Sequence, residues 1–370
     1  MQDMRMTPRQ TLCAAALALL ATAPVHAQDV EANMAIPFYN TAHAVQGLYG
    51  QWFSPQAKAA QASAQALSQA LRAHCAAPAA PAAPAAPAGS AAATLQTARQ
   101  AYVQSSRQWS SLSAVALGPL VERRSARLVD FRPMRPALLK KAIQSAPADL
   151  AAMERIGAPA KGYPALENLL WTQPVEPQTP ACAYATLVSE EIGAETGILR
   201  NGFAKLAAQD WSEDGDATTE AMAEFINQWV GGLERLRWAD MEKPLRSAGS
   251  AGSKPPAWEH LASGSTVEVW RAHWQGLRTL AVSVDRKVPR PGVDIVPIES
   301  YLRGRGLNPL ADRWLKAVNE ADAGMRALTE PSAKAVDAAT KPLSRLKRLM
   351  EGEVAPALEV NIGFSDADGD

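Results

Sequence analysis

The chain has 370 residues, of which 47% are hydrophobic and 10 are tryptophans, so it is long and apolar enough to bury a sizeable core. Its 37 lysines and arginines equal its 37 aspartates and glutamates, which argues against binding to nucleic acid, because that needs a basic surplus, and gives no support for a polybasic membrane patch. With only 3 cysteines, the fold does not depend on a framework of disulfides.

Residues 1–27 have the pattern of a secretory signal peptide. Arg5 and Arg9 form a basic start, a short apolar run follows, and small residues precede a cleavage site near Ala27. The apolar run is too short to span a bilayer as a helix, and no later stretch is long enough to do so. We therefore expect a mature protein in the cell envelope, most simply a periplasm, without a transmembrane segment. Loss of Arg5, Arg9 and Asp3 leaves 35 basic and 36 acidic residues, a net charge of −1.

Two cysteines, Cys75 and Cys182, remain after this cleavage. In an oxidising compartment such a pair is a candidate disulfide, which would close a loop of roughly 100 residues and contribute about 4–5 kcal/mol in the chain-entropy model. The alternative is two buried thiols.

The first predicted helix carries apolar residues at steps of three and four on one face. They are Phe38, Ala42, Val45, Tyr49 and Trp52. Ser54-Pro55 is predicted to interrupt this helix, because proline suits a first helical position and serine a cap. The pattern resumes as far as residue 76, where an Ala/Pro run over 76–93 predicts an extended spacer.

The rest of the chain repeats the helical period, and no convincing run of period-two alternation occurs. A capping box of Ser265 and Glu268 is predicted to open a tryptophan-bearing helix whose apolar face continues to Val284. These patterns predict an all-α fold of two packed helical bundles. We assign residues 28–190 to the N-terminal bundle and residues 191–370 to the C-terminal bundle.

The segment from Lys161 to Trp171 is the densest candidate for a functional site. Gly162 breaks the chain, Pro164 suits the first turn of a new helix, and Glu167 lies about one turn in, where a carboxylate interacts favourably with the helix dipole. Glu167 therefore has two candidate roles, a structural one in stabilising this helix and a functional one as part of a site.

The sequence Gly-Tyr-Pro-Ala-Leu-Glu-Asn-Leu-Leu-Trp, which begins at Gly162, resembles the signature region of the imelysin-like proteins, also called the insulin-cleaving or M75 peptidase family. Further stretches are similar to the family. Leu117–Leu120 resembles its helix end, and Val129–Pro133 resembles its aromatic-proline turn. Cys75 and Cys182 lie where members often have a cysteine pair, and Asn361–Asp370 is similar to the family's C-terminus.

The resemblance implies a two-bundle helical envelope protein linked to the acquisition of iron or another metal. The family's proposed metal motif is Gly-x-His-x-x-Glu, in which a histidine and a glutamate three residues apart share a helix face. Gly162 and Glu167 match this motif, but Pro164 stands at the histidine position and cannot bind a metal. This departure removes half of the proposed ligand pair and argues against metal binding and metallopeptidase action at the motif.

Acids and histidines elsewhere in the chain are candidate substitutes for the missing ligand. Carboxylates suit a hard ferric ion, so Glu167 and Glu122 are the metal candidates. His43 is a possible ligand in an interdomain cleft, with a solvated or capped histidine as the alternative, and His273 fits a packed interface. The ligand-binding candidates are Lys161, Gly162, Tyr163, Glu167, Asp130 and His43.

These observations leave three alternative functions. The first is a non-catalytic binding or auxiliary protein of metal uptake, with an envelope protein or a metal such as iron as its partner and with its site at the bundle junction. The second is a metal-dependent peptidase, which needs two or three metal ligands and a general base. The third is a structural module that binds a partner protein and uses the motif only to stabilise the junction.

Overall fold

The computed structural model describes residues 36–78, 90–212, 215–249, 255–284 and 287–363, and within these ranges the chain is helical without any β-strand. The prediction of an all-α fold is confirmed. The α-helices are Thr41–Gly47 (α1), Ser54–Ala76 (α2), Ala91–Leu112 (α3), Pro119–Glu122 (α4), Ser125–Val129 (α5), Pro136–Gln144 (α6), Leu150–Met153 (α7), Gly162–Glu167 (α8), Pro180–Ala208 (α9), Gly215–Glu234 (α10), Lys243–Gly249 (α11), Thr266–Ala281 (α12), Ile298–Gly304 (α13), Asn308–Ala327 (α14), Ala333–Leu349 (α15) and Ala355–Ala357 (α16).

Several of these helices are joined or extended by π-helical turns, in which backbone hydrogen bonds link residues five apart in the chain. The π-helical turns are Leu48–Phe53, Asn168–Thr172, Arg235–Glu242 and Met350–Val354, and a 3₁₀ turn covers Ala158–Ala160. The first π-helical turn joins α1 to α2, so the predicted interruption at Ser54-Pro55 is wrong. Pro55 has no N–H to donate, and the changed hydrogen-bond pattern before it accommodates the proline inside a continuous helix.

The start of the first helix also differs from the prediction. Phe38 precedes α1 and is 63% exposed, so it does not belong to the buried stripe. Asn40 opens α1 instead, because its side chain accepts a hydrogen bond from the backbone N–H of His43. Val45, Tyr49 and Trp52 of the predicted stripe are buried, and Ala42 is partly buried.

The N-terminal bundle is built from α2, α3 and α9, with the short α8 against α9. Its core includes stacked aromatic rings, among them Phe53 on Phe203 at 4.6 Å and Tyr49 on Trp211 at 5.1 Å. Cys75 at the end of α2 and Cys182 at the start of α9 form a disulfide with a Cα–Cα distance of 5.5 Å. The disulfide prediction is confirmed, and the alternative of two free thiols is wrong.

The C-terminal bundle is built from α10, α12, α14 and α15. Trp229 and Trp314 lie 5.2 Å apart in its core. Their indole N–H groups donate to the carbonyls of Leu277 and Ala281, so the buried polar atoms of both rings are satisfied. His273 is buried with Nε2 2.9 Å from the Gly232 carbonyl, as expected for a packed histidine.

The two bundles meet where α3 packs along α12. Gly232 of α10 permits the close approach of the end of α3, because a Cβ at this position would lie 1.8 Å from the carbonyl oxygen of Ala114. The proposed boundary between residues 190 and 191 lies inside the continuous helix α9 and stays a prediction.

No helix in the described ranges has the length and apolar character needed to cross a membrane. The predicted signal peptide over residues 1–27 lies outside the described residues, as does most of the Ala/Pro spacer. The helix predicted as far as Val284 ends earlier, since α12 stops at Ala281 and Val284 is 59% exposed.

Candidate functional site

Two neighbouring chambers lie at the junction, and we call them the outer cleft and the inner cavity. The outer cleft has a volume of about 270 Å³, and its polar lining includes Arg132, Glu167, Asn168, Thr172, Glu259 and His260. The inner cavity has a volume of about 170 Å³, and its lining includes Ser106, Trp109, Ser110, Ser113, Asp130, Arg132, Tyr163, Arg235, Asp240, Glu259 and His260. Arg132, Glu259 and His260 line both chambers and therefore form the wall between them.

Arg132 is the centre of this wall. Its guanidinium donates to Asp130 Oδ1 at 2.9–3.0 Å, and its Nε lies 2.8 Å from Glu259 Oε2. The side chain of Arg132 is only 17% exposed, so two carboxylates compensate a charge that has lost most of its water. Because Asp130 is two residues away and Glu259 is far along the chain, this contact ties the turn after α5 to the loop before α12.

His260 is held in its neutral form by the same arginine. Nη2 of Arg132 lies 2.9 Å from His260 Nε2, and since a guanidinium can only donate, Nε2 accepts. The imidazole proton is therefore on Nδ1, which lies 3.3 Å from the hydroxyl of Tyr102. Burial, and then the charge of Arg132, lower the pKa of His260 well below its ordinary value, in agreement with this tautomer.

The backbone of His260 has a φ of +59°, in the left-handed region that non-glycine residues rarely adopt. Glu167 holds the loop in this conformation, because its Oε1 accepts from the Ser263 N–H at 2.9 Å and from the Ser263 hydroxyl at 2.7 Å. The predicted capping box is wrong: Ser265 is the N-cap residue of α12, but its hydroxyl contacts Ser263 at 2.9 Å and caps no helical N–H. The loop is fixed from the side of α8 instead.

Lys161 and Gly162 face away from both chambers. Nζ of Lys161 is buried and bonds to Glu191 of α9 at 2.5 Å and to the Met153 carbonyl at 3.1 Å. Gly162 has a φ of +72°, and a Cβ here would lie 2.3 Å from the carbonyl oxygen of Val129. These two residues therefore attach the start of α8 to α9 and α5, and neither lines the cleft where they were predicted to act as ligands.

The remaining predicted residues are divided between several places. Tyr163 lines the inner cavity, fully buried, with its hydroxyl 2.8 Å from Ser105 Oγ, and Asp130 pairs with Arg132. Glu122 is exposed and has Tyr49 and Glu224 as its electrostatic neighbours. His43 lies in α1 near Gly292, and neither chamber includes His43 or Glu122 in its lining. The structure thus brings together Asp130, Tyr163 and Glu167 of the predicted set.

Arg235 and Asp240 reach the inner cavity from the π-helical turn Arg235–Glu242. In an α-helix, residues five apart point about 140° away from each other, whereas in a π-helical turn five residues come close to one full turn. The turn therefore places both side chains toward one cavity. Nη2 of Arg235 donates to the Ser113 carbonyl, while Asp240 makes no hydrogen bond or ion pair with any residue that the structure describes.

Two acids of the inner cavity, Asp240 and Glu259, hold their protons more tightly than acids in water. Burial raises the pKa of Asp240 to about 6, although Arg235 and Arg132 oppose the shift. Burial also raises the pKa of Glu259 to about 8, again against the effect of Arg132. A third of the Glu259 side chain is accessible, and this area faces the two chambers that the residue lines. Burial therefore opposes the ionisation of both acids, while the nearby guanidinium groups favour it.

The family motif implies a metal, and the donor groups of the outer cleft do not fit one as a resident ion. Asp130, Glu259 and His260 are all engaged by the guanidinium of Arg132, and Glu167 accepts two hydrogen bonds from Ser263. Among the described residues, no group of three or more histidine, cysteine, aspartate or glutamate side chains is arranged to hold a metal ion. A metal at this site would have to displace Arg132.

The titratable residues of the site that sequence reasoning missed are Arg132, Arg235, Asp240, Glu259 and His260. Glu259 and His260 lie in an irregular loop, and Arg235 and Asp240 are spaced for a π-helical turn, so no helical period marks any of them. Two signals are present in the sequence: Arg132 in the Val129–Pro133 turn, whose charge needs acidic partners when buried, and His260 directly after Glu259.

Comparisons with known proteins agree with this architecture. The sequence model of the family described as Imelysin (Peptidase_M75) matches residues 53–348. An imelysin-like protein from Psychrobacter arcticum 273-4 has a similar solved structure, with 18% identity and a TM-score of 0.70 over 89% of this chain and 100% of the other. A protein from Parabacteroides distasonis ATCC 8503 described as an iron-regulated protein A precursor is also similar, with 14% identity and a TM-score of 0.69 over 86% and 95% of the two chains. No curated protein matches the sequence.

Proposed function

The chain belongs to the imelysin family, and on that premise we propose that it is a non-catalytic binding or auxiliary protein of metal uptake in the periplasm. Its cargo is iron or another metal cation, bound at the outer cleft. The similarity to a protein described as iron-regulated and the signal-like sequence of residues 1–27 support the assignment. The observation that carries it is the convergence of α8, the Arg132 turn and the loop before α12 on one polar cleft.

The charge of the cleft favours a cation. Two acids line the cleft, Glu167 and Glu259, and a third, Asp130, lies next to it and pairs with the same guanidinium of Arg132 as Glu259 does. Arg132 occupies the place that a bound cation would take, so cargo binding is a competition in which the incoming ion replaces Arg132 at Glu259. Such a competition gives reversible binding, which suits a protein that must release its cargo.

A metal titration of the purified mature protein tests this function. After metal removal by a chelator, Fe²⁺ under anaerobic conditions and Mn²⁺ are titrated by calorimetry into the native protein and into Glu259→Gln. We expect at least about a tenfold loss of affinity in Glu259→Gln, because the variant keeps the shape of the side chain and loses its charge. Glu320→Gln is the matched control, since Glu320 is an exposed acid paired with Arg345 on the surface.

Two results would contradict the proposal. Equal affinities of the native protein and Glu259→Gln would remove the outer cleft as the metal site. Metal-dependent cleavage of an unfolded protein substrate, lost in Glu259→Gln, would show that the protein is a peptidase and that its role is catalytic.

A further inference from the structure

We propose that the inner cavity binds a small zwitterionic α-amino acid, whose ammonium group pairs with Asp240 and whose carboxylate pairs with Arg235. This ligand site is separate from the metal site of the outer cleft, because neither Asp240 nor Arg235 lines the cleft. The inference goes beyond the proposed function and does not depend on it.

The first argument is the pair of opposite charges that the cavity leaves unmatched. Asp240 and Arg235 line the same space, yet they form no ion pair with each other. Within the described residues, Asp240 has no hydrogen-bond partner, and the guanidinium of Arg235 uses only Nη2, on the Ser113 carbonyl. Asp240 is only partly exposed, so its carboxylate has lost part of its water without gaining a protein partner, and a ligand ammonium group would provide that partner.

The second argument is the local backbone. Arg235 and Asp240 point toward one cavity only because the segment Arg235–Glu242 is a π-helical turn. Such turns are rare, and they are found frequently at functional sites. In a regular α-helix Asp240 would point away from Arg235, so the two charges would face different surroundings.

The third argument is the size and the lining of the cavity. Its volume of about 170 Å³ is close to that of the cavity of about 150 Å³ that holds benzene, so the cavity suits a ligand of about five to seven heavy atoms. Glycine, alanine and serine are in this range. Trp109 and Tyr163 provide aromatic walls, which favour an ammonium group. The hydroxyl of Ser113 also lines the cavity and makes no hydrogen bond to a described residue.

Arg132 and Glu259 give the cavity a contact with the outside, because they form the wall that it shares with the outer cleft. Their ion pair at 2.8 Å closes the wall in this structure. The side chain of Arg132 also contacts Asp130 and His260, so a rotation that opens the wall still leaves partners for its guanidinium. A ligand from the cleft can therefore reach Asp240 by way of Arg132.

Calorimetric titration of the mature protein with glycine, L-alanine and L-serine tests the site. The single-charge analogues are ethylamine, which lacks the carboxylate, and propionate, which lacks the ammonium group. We expect at least one of the amino acids to bind and each analogue to bind at least about tenfold more weakly. Asp240→Asn should weaken amino-acid binding by a similar factor, because it keeps the side-chain volume and removes the charge. Asp337→Asn, an exposed acid, should change nothing.

Circular dichroism and thermal melting confirm that Asp240→Asn is folded before its binding is measured. If none of the three amino acids binds to the native protein, the proposal is overturned, and the cavity holds only ordered water. Equal binding of ethylamine and L-alanine would also overturn it, since the site would then recognise a cation alone. Unchanged binding in folded Asp240→Asn would place the amino acid elsewhere. A negative metal titration at the outer cleft leaves all of these results unaffected.

Discussion

The helix Gly162–Glu167 and the loop over residues 255–263 meet at the outer cleft, but they contribute to it in different ways. Every residue of the helix is buried, and the polar groups of Tyr163 and Glu167 are satisfied by Ser105 and Ser263. The loop instead presents Glu259 and His260 to both chambers. The segment with the recognisable motif is therefore the scaffold, while the irregular segment supplies the titratable groups. This difference leads to distinct expectations for substitutions in the two regions.

The largest effect is expected at the base of the motif helix. Gly162→Ala places a side chain at a φ of +72° and a Cβ 2.3 Å from the Val129 carbonyl oxygen, so the backbone must shift. We expect the unfolding free energy to fall by about 3–5 kcal/mol in urea denaturation. Gly50→Ala is the control, because a Cβ at Gly50 meets nothing within 4 Å and its effect should be small. Equal stability of Gly162→Ala and the native protein would refute the scaffold role.

The wall between the chambers should come next in the size of its effect. Arg132→Gln leaves Asp130 and Glu259 without their cation, so we expect a loss of about 3 kcal/mol in unfolding free energy. Arg313→Gln removes an ion pair with Glu353 in which both side chains are about half exposed, and its effect should stay below about 1 kcal/mol. Similar losses in the two variants would show that the Arg132 contacts are no stronger than surface pairs.

Lys161 tests the side of the motif that faces away from the cleft. Lys161→Met keeps most of the buried stem but leaves Glu191 without its partner, and we expect a loss of about 2 kcal/mol. The cleft should be unaffected, so metal affinity should match that of the native protein. Lys341→Met, at an exposed pair with Asp337, controls for the removal of a lysine charge. A change in metal affinity without a change in stability would return Lys161 to the list of ligand residues.

The smallest effect concerns pH. The pKa of Glu259 is raised to about 8 in the folded chain, against about 4.3 in the unfolded chain, so the folded state keeps this proton up to a higher pH than the unfolded state does. The unfolding free energy should therefore decrease as pH rises from 5 to 8, by about 1 kcal/mol once the accessible third of the side chain is taken into account. Glu259→Gln should lack this decrease, whereas Glu320→Gln should retain it. Parallel stability curves for the native protein and Glu259→Gln would contradict the raised pKa.

Much of the fold could be predicted from the sequence, because its signals are local or compositional. Helical periods identified the tryptophan-bearing helices, and the two cysteines of a predicted exported chain indicated the disulfide. The predictions failed where backbone hydrogen bonding departed from the regular pattern. Pro55 lies within a continuous helix after a π-helical turn, and Ser265 has the position of a cap residue without making the cap.

The site was predictable only in part, for a physical reason. Glu167 was found because it follows a motif on one helix, but its partner Ser263 is 96 residues away. Arg132 and His260 are 128 residues apart and meet only in the tertiary structure. No periodicity in either segment records this contact, so the predicted set contained Lys161 and His43, which lie elsewhere, and lacked Glu259 and Asp240.

The affinity of Arg132→Gln for Fe²⁺ tests most directly the claim that Arg132 occupies the place of the cargo cation. With folding verified by circular dichroism, the competing guanidinium is absent while Asp130, Glu167 and Glu259 remain. We predict that the variant binds Fe²⁺ about tenfold more tightly than the native protein, although it is less stable. Unchanged or weaker binding in the folded variant would contradict the account.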